Sequence, residues 1–357
     1  MNHEQRAALW QLLAAAGFVA GEIPAADPRR TPWYVRLMLG IAGWIGALFL
    51  LGFVGIGFAL VMQNAFASIV VGAAICAGAA AILRAAPAND FFGQLGLAVS
   101  LAGQVMLCYG LSRIVEGSRG GLALLIALQQ GALFVLVPHF VHRVWTSWTS
   151  AFAAVYALSQ FGMFALGPAA VSLAFVLVWL REFDVERDGA ILRAGGYGLA
   201  LATLQTCVLH GSLWLMLDVH SGSDAGRNAA AWVGAAASAA VLFVAAWQLV
   251  KREGLSLGSP HGRIALAGAA MLGAVSLKAP GVGPAVAVLV IGYANGNRVL
   301  AGLGIAAIVG YLSHYYYSLS ITLLEKSILL AVTGVALLVL RLALKAWWPK
   351  EQGGAHA

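Results

Sequence analysis

Six residues near the C-terminal end of the sequence have side chains that could act together chemically. The short segment 318–322 would connect two helices and bring the end of one beside the start of the next. An imidazole, phenols and a carboxylate could then share one pocket, and such groups bind a polar head group or relay a proton. The alternative is that Glu325 and Lys326 only mark a helix end, with their side chains extended toward water. We call this set the C-terminal polar site: His314, Tyr315, Tyr316, Tyr317, Glu325 and Lys326.

Polar residues also interrupt the apolar stretches in the middle of the chain. Gln205 and His210 are five positions apart, so they do not share one helix face well. We expect His210 to bond a neighbouring helix, and we expect the amides to hold helices together. A polar path for a substrate is the alternative role of the amides. Gln104, Gln205 and His210 are the secondary candidates, and further amides in the apolar stretches are Gln129, Gln130 and Gln160.

No spacing in the sequence indicates a catalytic, cofactor or metal site. The three cysteines, Cys76, Cys108 and Cys207, are isolated in apolar runs, so neither a disulfide framework nor a zinc site is expected. Walker, HExxH and GxSxG motifs are missing. The Lys and Arg residues are scattered in short connections, which does not fit a nucleic-acid-binding surface. We therefore predict no cofactor, no metal and no nucleic-acid partner.

The segments that would carry these residues are apolar helices. Hydrophobic residues form 61% of the chain and charged residues only 10%, whereas soluble domains are about a quarter charged. The fold class is therefore predicted to be an all-α integral membrane protein, since about 20 apolar residues form one transmembrane helix. Twelve spans are predicted: 37–62, 66–83, 92–111, 120–137, 148–165, 169–180, 191–217, 229–250, 264–278, 284–296, 299–312 and 323–347.

The charge distribution predicts the orientation. With both termini in the cytoplasm, 16 of the Lys and Arg residues fall on the inner side and 4 on the outer side, with Lys326 left uncounted. The domains are then a cytoplasmic tail at 1–36, a transmembrane domain at 37–347 and a cytoplasmic tail at 348–357. The stretch 264–296 is either two short spans or one broken helix, and the charge count favours two spans.

Three local features complete the helical interpretation. The N-terminal tail is predicted to begin with a short amphipathic helix, because Leu9, Leu12, Leu13 and Ala16 repeat at helical spacing. Tryptophans near the predicted helix ends, including those at 145, 148, 179 and 247, are expected to anchor the chain at the membrane interface. Glycines are expected where helix backbones pack closely, among them those at 52, 55, 57, 72, 302 and 304.

Two sequence markers carry a resemblance to a known family. The first is residues 32–36 (PWYVR) running into 48–53 (LFLLGF), and the second is 315–319 (YYYSL) followed by 323–330 (LLEKSILL). From about Pro32 to Leu342 the chain resembles the bacterial multi-span proteins called domain of unknown function 4401. The resemblance implies an inner-membrane location and a neighbouring gene for a small protein with a GDYxxLxY motif. It implies no known activity and no catalytic residues.

Two functions fit these observations. The first is a membrane scaffold or interaction protein, because few charges are buried and no chemical motif is present, and the small neighbour is its expected partner. The second is a transporter or channel for a neutral or lipid-like solute, because twelve spans carry polar amides and a Pro/Gly break at 280–284. A lipid-modifying enzyme fits less well, since its nucleophile and base are not visible. The lipid bilayer is the expected surrounding of the chain, and a homo-oligomer is compatible with the sequence.

Overall fold

The described part of the protein is helical throughout. The computed structural model describes residues 3–17, 40–46, 63–85, 90–182, 189–212, 224–277 and 281–318, together with isolated positions at 19, 21, 23, 34–35, 38, 48–49, 52, 61, 324, 327–328, 331 and 338. About half of the predicted first span and most of the predicted last span lie outside these residues. The helical class is confirmed, and the domain limits at 36 and 347 stay predictions.

The described residues contain eleven α-helices with defined bounds, one 3-10 turn and a further helical stretch at 40–46, within the predicted first span. The 3-10 turn, Phe164–Leu166, joins the fifth and sixth helices. The helices are α1 (His3–Ala15), α2 (Ala65–Ala85), α3 (Asp90–Ile114), α4 (Arg119–Leu136), α5 (Phe140–Gln160), α6 (Gly167–Leu180), α7 (Gly189–Ser212), α8 (Asp224–Arg252), α9 (Pro260–Ser276), α10 (Val282–Ala294) and α11 (Arg298–Ser318).

Four described segments are long and apolar enough to cross a bilayer: Ala65–Ala85, Phe91–Ile114, Arg119–Leu136 and Trp232–Arg252. They mark the chain as a membrane protein. Shorter apolar helices occur at Gly167–Leu180, Val282–Ala294 and Arg298–Ser313. The count of twelve spans and the cytoplasmic placement of both termini stay predictions.

The fifth helix differs from its predicted position. The apolar stretch 148–165 predicts a span, but α5 occupies Phe140–Gln160 and a turn follows at 161–163. The N-terminal turns of α5 carry His142, Arg143 and Thr146, which lower the local hydropathy. His142 and Thr146 are nevertheless buried. His142 Nε2 meets Ser100 of α3, and the Thr146 hydroxyl donates to the carbonyls of His142 and Arg143 in its own helix. These residues are polar in sequence, so a scan for apolar runs misses this part of the helix.

The stretch 264–296 forms two antiparallel helices. Gly273 of α9 packs against Ala239 near the middle of α8, and Gly283 of α10 packs against Ser276 at the same level. At the other end of α10, Asn295 accepts a hydrogen bond from Arg252 at the end of α8. Helix α9 therefore runs away from that end and α10 returns to it, which excludes one continuous broken helix.

Two packing units make up most of the described chain. One is the hairpin of α2 and α3, in which Gly72 and Gly103 allow the backbones to approach closely. The other is built from α4 to α11 and centres on the fully buried Phe175, Trp179 and Ile291. Of the glycines predicted to pack, Gly72 and Gly304 do so. A side-chain atom at Gly52 or Gly302 would meet nothing within 4 Å among the described residues, and Gly55 and Gly57 lie outside them. Close packing at these four stays a prediction.

Most of the described cations lie at one end of the bundle, which we call the cationic end. Contacts join its parts: Arg84 donates to the carbonyl of Leu136, Arg143 to that of Phe134, and Phe134 lies against Gly195. Arg113 and Arg119 lie at the opposite end, where α3 ends and α4 begins. The sequence predicts that the cationic end is cytoplasmic.

The N-terminal helix α1 forms where the sequence predicts it. Leu9 and Leu12 are exposed, as expected for a face that lies on a membrane surface. Trp10 donates its indole N–H to the carbonyl of Gly21 at 3.2 Å, which folds the following residues back along the helix. Gly17 ends the helix with a φ of 75°, a conformation that favours glycine.

Candidate functional site

The structure leaves the C-terminal polar site a prediction. Residues 314–317 belong to the last turns of α11, which ends at Ser318. Tyr316 is partly buried, and His210 lies in the helical part of α7. The side chain of His210 lies outside the described residues. The same holds for five of the six side chains of the C-terminal polar site: His314, Tyr315, Tyr317, Glu325 and Lys326.

A cavity of about 770 Å³ lies between α3, α4 and α5, and α7 contributes to its wall. Both described secondary candidates, Gln104 and Gln205, line this cavity. The apolar part of the wall includes Leu101, Val105, Leu122, Ala123, Ile126, Phe152 and Ala153. Its volume is in the range of small-molecule sites, which run from about 300 to 1,000 Å³.

The floor of the cavity is a hydrogen-bonded layer centred on Gln104. Its side-chain oxygen accepts from Gln130 of α4 at 3.1 Å and from the indole of Trp145 of α5 at 3.2 Å. Its side-chain nitrogen donates to Ser100, one helical turn earlier, at 3.1 Å. One amide therefore joins three helices and is only 3% exposed. The sequence analysis predicted this role for Gln104, but not its partners.

A second polar contact joins α5 to α7. The indole of Trp148 donates to the side-chain oxygen of Gln205 at 2.5 Å, and the rings of Trp145 and Trp148 meet edge to face at 5.4 Å. Both tryptophans line the cavity. The sequence predicts these tryptophans only as interface anchors. In the structure their indole N–H groups also donate to glutamines inside the bundle.

Below Gln104 lies a serine–histidine pair that sequence analysis missed. Ser100 Oγ and His142 Nε2 are 2.8 Å apart, and both residues are 1% exposed. His142 Nδ1 has no hydrogen-bond partner among the described residues, so no carboxylate orients the ring as a catalytic triad requires. Neither residue lines the cavity. The arrangement supports a structural role below the floor.

His139 caps the N-terminus of α5. Its Nδ1 accepts a long hydrogen bond of 3.4 Å from the backbone N–H of His142. Burial lowers the pKa of His139, because desolvation disfavours the charged imidazolium. The ring is therefore neutral at pH 7 and keeps the lone pair that the cap needs.

Beside the cavity, Cys76 and Leu83 of α2 pack against Leu133 and Val137. The wall is open on one side, where Val105 is 66% exposed. The cavity extends from the amide floor to Arg119 and Tyr156 near the opposite end of the bundle.

A family model described as "Domain of unknown function (DUF4401)" matches residues 32–346. The chain belongs to the DUF4401 family. This confirms the resemblance carried by the two sequence markers. No curated protein and no solved structure matches the chain.

In this DUF4401 protein the described residues hold few groups for chemistry. No three His, Cys, Asp or Glu among them lie close enough to bind a metal ion. The buried amides remain the main polar feature, and two of their atoms, Gln129 Nε2 and Gln130 Oε1, have no hydrogen-bond partner within the described chain. Gln130 Oε1 is buried and has no hydrogen-bond partner within the described chain, and Gln130 lines the cavity. Such an atom is an unsatisfied hydrogen-bond acceptor.

The spacing of polar residues in the sequence could have predicted the polar face of α5. Polar or amphipathic residues recur there at helical spacing, three and four positions apart: His142, Trp145, Thr146 and Thr149. This period is typical of one helix face. The face was missed because the polar residues precede the apolar run that defined the predicted span.

Proposed function

We propose that the protein binds a neutral, lipid-like solute in the cavity between α3, α4 and α5, as a transporter for such a molecule would. The observation that carries this proposal is the combination of apolar walls with a floor of buried amides. Ligand sites commonly have this composition, in which a few placed polar groups orient an otherwise apolar ligand.

The lining favours an uncharged ligand. Arg119 is the one charged residue among the described residues that line the cavity, and it lies away from the amide floor. A charge inside a bilayer is costly unless it is paired. A hydroxyl or amide N–H on the ligand would instead satisfy the buried oxygen of Gln130.

The opening beside Val105 supports entry from the side of the bundle. An exposed valine next to an apolar cavity provides a path that a solute dissolved in the bilayer could follow without crossing polar surface. Under the predicted orientation, the cavity extends from the amide floor toward the outer side.

The proposal is tested with a photoreactive long-chain alcohol bearing a diazirine, added to the full-length protein in native membranes. We expect labelled peptides to come from residues 101–108 and 145–156, which line the cavity. A Val105→Trp variant should reduce this labelling several-fold, because the indole would fill the opening. Leu128→Trp is the matched control, since Leu128 is exposed on α4 but does not line the cavity.

Labelling spread evenly over the exposed helix surfaces and unchanged by Val105→Trp would contradict the proposal. A charged probe, the corresponding fatty acid, separates the ligand classes. Equal labelling by the acid and the alcohol would argue against a neutral solute.

The scaffold or interaction role is the second candidate that the sequence supports. The proposed partner is the small GDYxxLxY protein that the family resemblance implies. Affinity purification from native membranes in mild detergent, followed by mass spectrometry, separates the two functions. A stoichiometric small protein would favour assembly, and a tightly bound neutral lipid would favour transport.

We also infer that the protein resides in a bacterial inner membrane with both termini in the cytoplasm. The uneven distribution of Lys and Arg supports this orientation. Cysteine-accessibility labelling in intact cells, with single cysteines placed near Arg113 and near Arg263, tests it. The first should react with an impermeant reagent and the second should not.

A further inference from the structure

A second cavity, of about 450 Å³, lies at the cationic end between α6 and α8. Both helices end there: α6 at Leu180, followed by Arg181, and α8 at Arg252. The cavity has six lining residues, of which three are cations: Leu177, Leu180, Arg181, Gln248, Lys251 and Arg252.

The dipoles of α6 and α8 offset only part of the positive charge beside this cavity. A helix C-terminus carries roughly half a negative charge, so two such ends offset about one of the three cations. Arg181 and Lys251 are exposed, so their charges remain available to an anionic group outside the protein.

Glu182, which follows Arg181 in the chain, is already engaged. Glu182 is buried, and its carboxylate accepts from Arg193 at 2.9 Å and from Asn295 at 3.4 Å. Arg252 in turn donates to the side-chain oxygen of Asn295 at 2.9 Å. Glu182 does not line the cavity. Within the described chain, neither Arg181 nor Lys251 forms an ion pair with an acid.

The same cavity has an apolar edge. Leu177 is exposed beside the cations, and the ammonium of Lys251 lies 5.2 Å from the ring centre of the half-exposed Trp247. Cations beside exposed leucine and tryptophan are typical of the depth at which lipid phosphates meet acyl chains. Gln248 adds an amide that can donate a hydrogen bond.

We propose that this cavity binds the phosphate group of an anionic phospholipid. Arg181, Lys251 and Arg252 contact the phosphate oxygens, and Leu177 and Leu180 contact the start of an acyl chain. A lipid phosphate group and a free phosphate ion both present a cluster of charged oxygens to these cations. The apolar edge of the cavity favours the lipid, because only the lipid carries an acyl chain. The site is separate from the amide-floored cavity, so it does not depend on the proposed solute.

The test uses the full-length protein in a neutral detergent, with binding read by native mass spectrometry. Phosphatidylglycerol, phosphatidylcholine and inorganic phosphate are titrated separately. We expect phosphatidylglycerol to bind better than phosphatidylcholine, whose choline cation the site repels. The double variant Arg181→Gln, Lys251→Gln should weaken phosphatidylglycerol binding roughly tenfold or more.

The matched control is the double variant Arg263→Gln, Arg298→Gln. It removes two exposed cations at the starts of α9 and α11, near the same end, but neither lines the cavity. We expect it to keep most of the phosphatidylglycerol binding. The single variant Lys251→Gln gives an intermediate loss and replaces the double variant if the latter does not fold.

Three outcomes would overturn the proposal. Equal binding of phosphatidylglycerol and phosphatidylcholine would show that the site does not select an anionic lipid. Equal losses in the two double variants would show only a general effect of charge. Retention of inorganic phosphate without a preference for phosphatidylglycerol would assign the cavity to the free ion.

Discussion

The indole N–H of Trp148 in α5 donates to the side-chain oxygen of Gln205 in α7 at 2.5 Å, across 57 positions of sequence. Both residues line the cavity. The contact satisfies two polar groups that would otherwise face apolar surroundings, where an unpaired group is costly. It also fixes the tryptophan ring in the cavity wall.

A double-mutant cycle on this pair tests the energetic coupling. Trp148→Phe removes the N–H and keeps an aromatic ring, and Gln205→Leu removes the acceptor. We expect a coupling free energy of about 0.6–1.7 kcal/mol, the range of hydrogen bonds between membrane helices. Equilibrium unfolding of the four proteins in mixed micelles measures it. A coupling below about 0.3 kcal/mol would be indistinguishable from independent sites.

Gln104→Leu should destabilise the fold by about 1–3 kcal/mol, because it leaves buried partners without hydrogen bonds. Those partners are Gln130, Trp145 and Ser100. The control is Gln129→Leu, since the side-chain nitrogen of Gln129 is already buried without a described partner. We expect that variant to be neutral or slightly stabilising. Unfolding in mixed micelles compares the two, and the opposite order would refute the network as a stabilising unit.

Gly103→Ala should destabilise the α2–α3 hairpin. A Cβ atom at Gly103 would lie 2.7 Å from the sulfur of Cys76 and 2.9 Å from the carbonyl oxygen of Gly72, so we expect a loss of about 1–3 kcal/mol from overpacking. Among the described residues, a Cβ at Gly78 of α2 meets nothing within 4 Å. Gly78→Ala should therefore stabilise the helix by up to about 1 kcal/mol. Thermal unfolding followed by circular dichroism measures both, and equal effects would contradict close packing at Gly103.

Cys108 should react with a small membrane-permeant thiol reagent several times faster than Cys76, because accessibility limits thiol modification. Cys108 lines the cavity, whereas Cys76 is 4% exposed between α2 and α3. The comparison is made in a Cys207→Ala background by mass spectrometry of the modified peptides. Similar rates at both cysteines would indicate that the cavity is closed in the membrane.

The sequence alone determined the class of the molecule and some of its helix contacts. With 61% hydrophobic and 10% charged residues, the chain has too few polar side chains to cover a surface in water. It is therefore expected in a membrane, where helices satisfy the backbone hydrogen bonds. The break at 278–284 predicts two helices rather than one, and α9 and α10 are antiparallel. Close packing at Gly72 follows from the need for small residues between membrane helices.

Only the tertiary structure decided where the polar residues meet. Gln104, Gln130 and Trp145 are separated by up to 41 positions, and their contact depends on how three helices are paired and rotated. Hydropathy cannot supply this, because an apolar residue that faces lipid and one that faces another helix have the same hydropathy. Trp179 shows the same limit: its place near a helix end predicts an interface anchor, but it is 1% exposed in the core. Burial inside the bundle is a property of helix packing, and so is the cavity, whose lining residues come from α3, α4, α5 and α7.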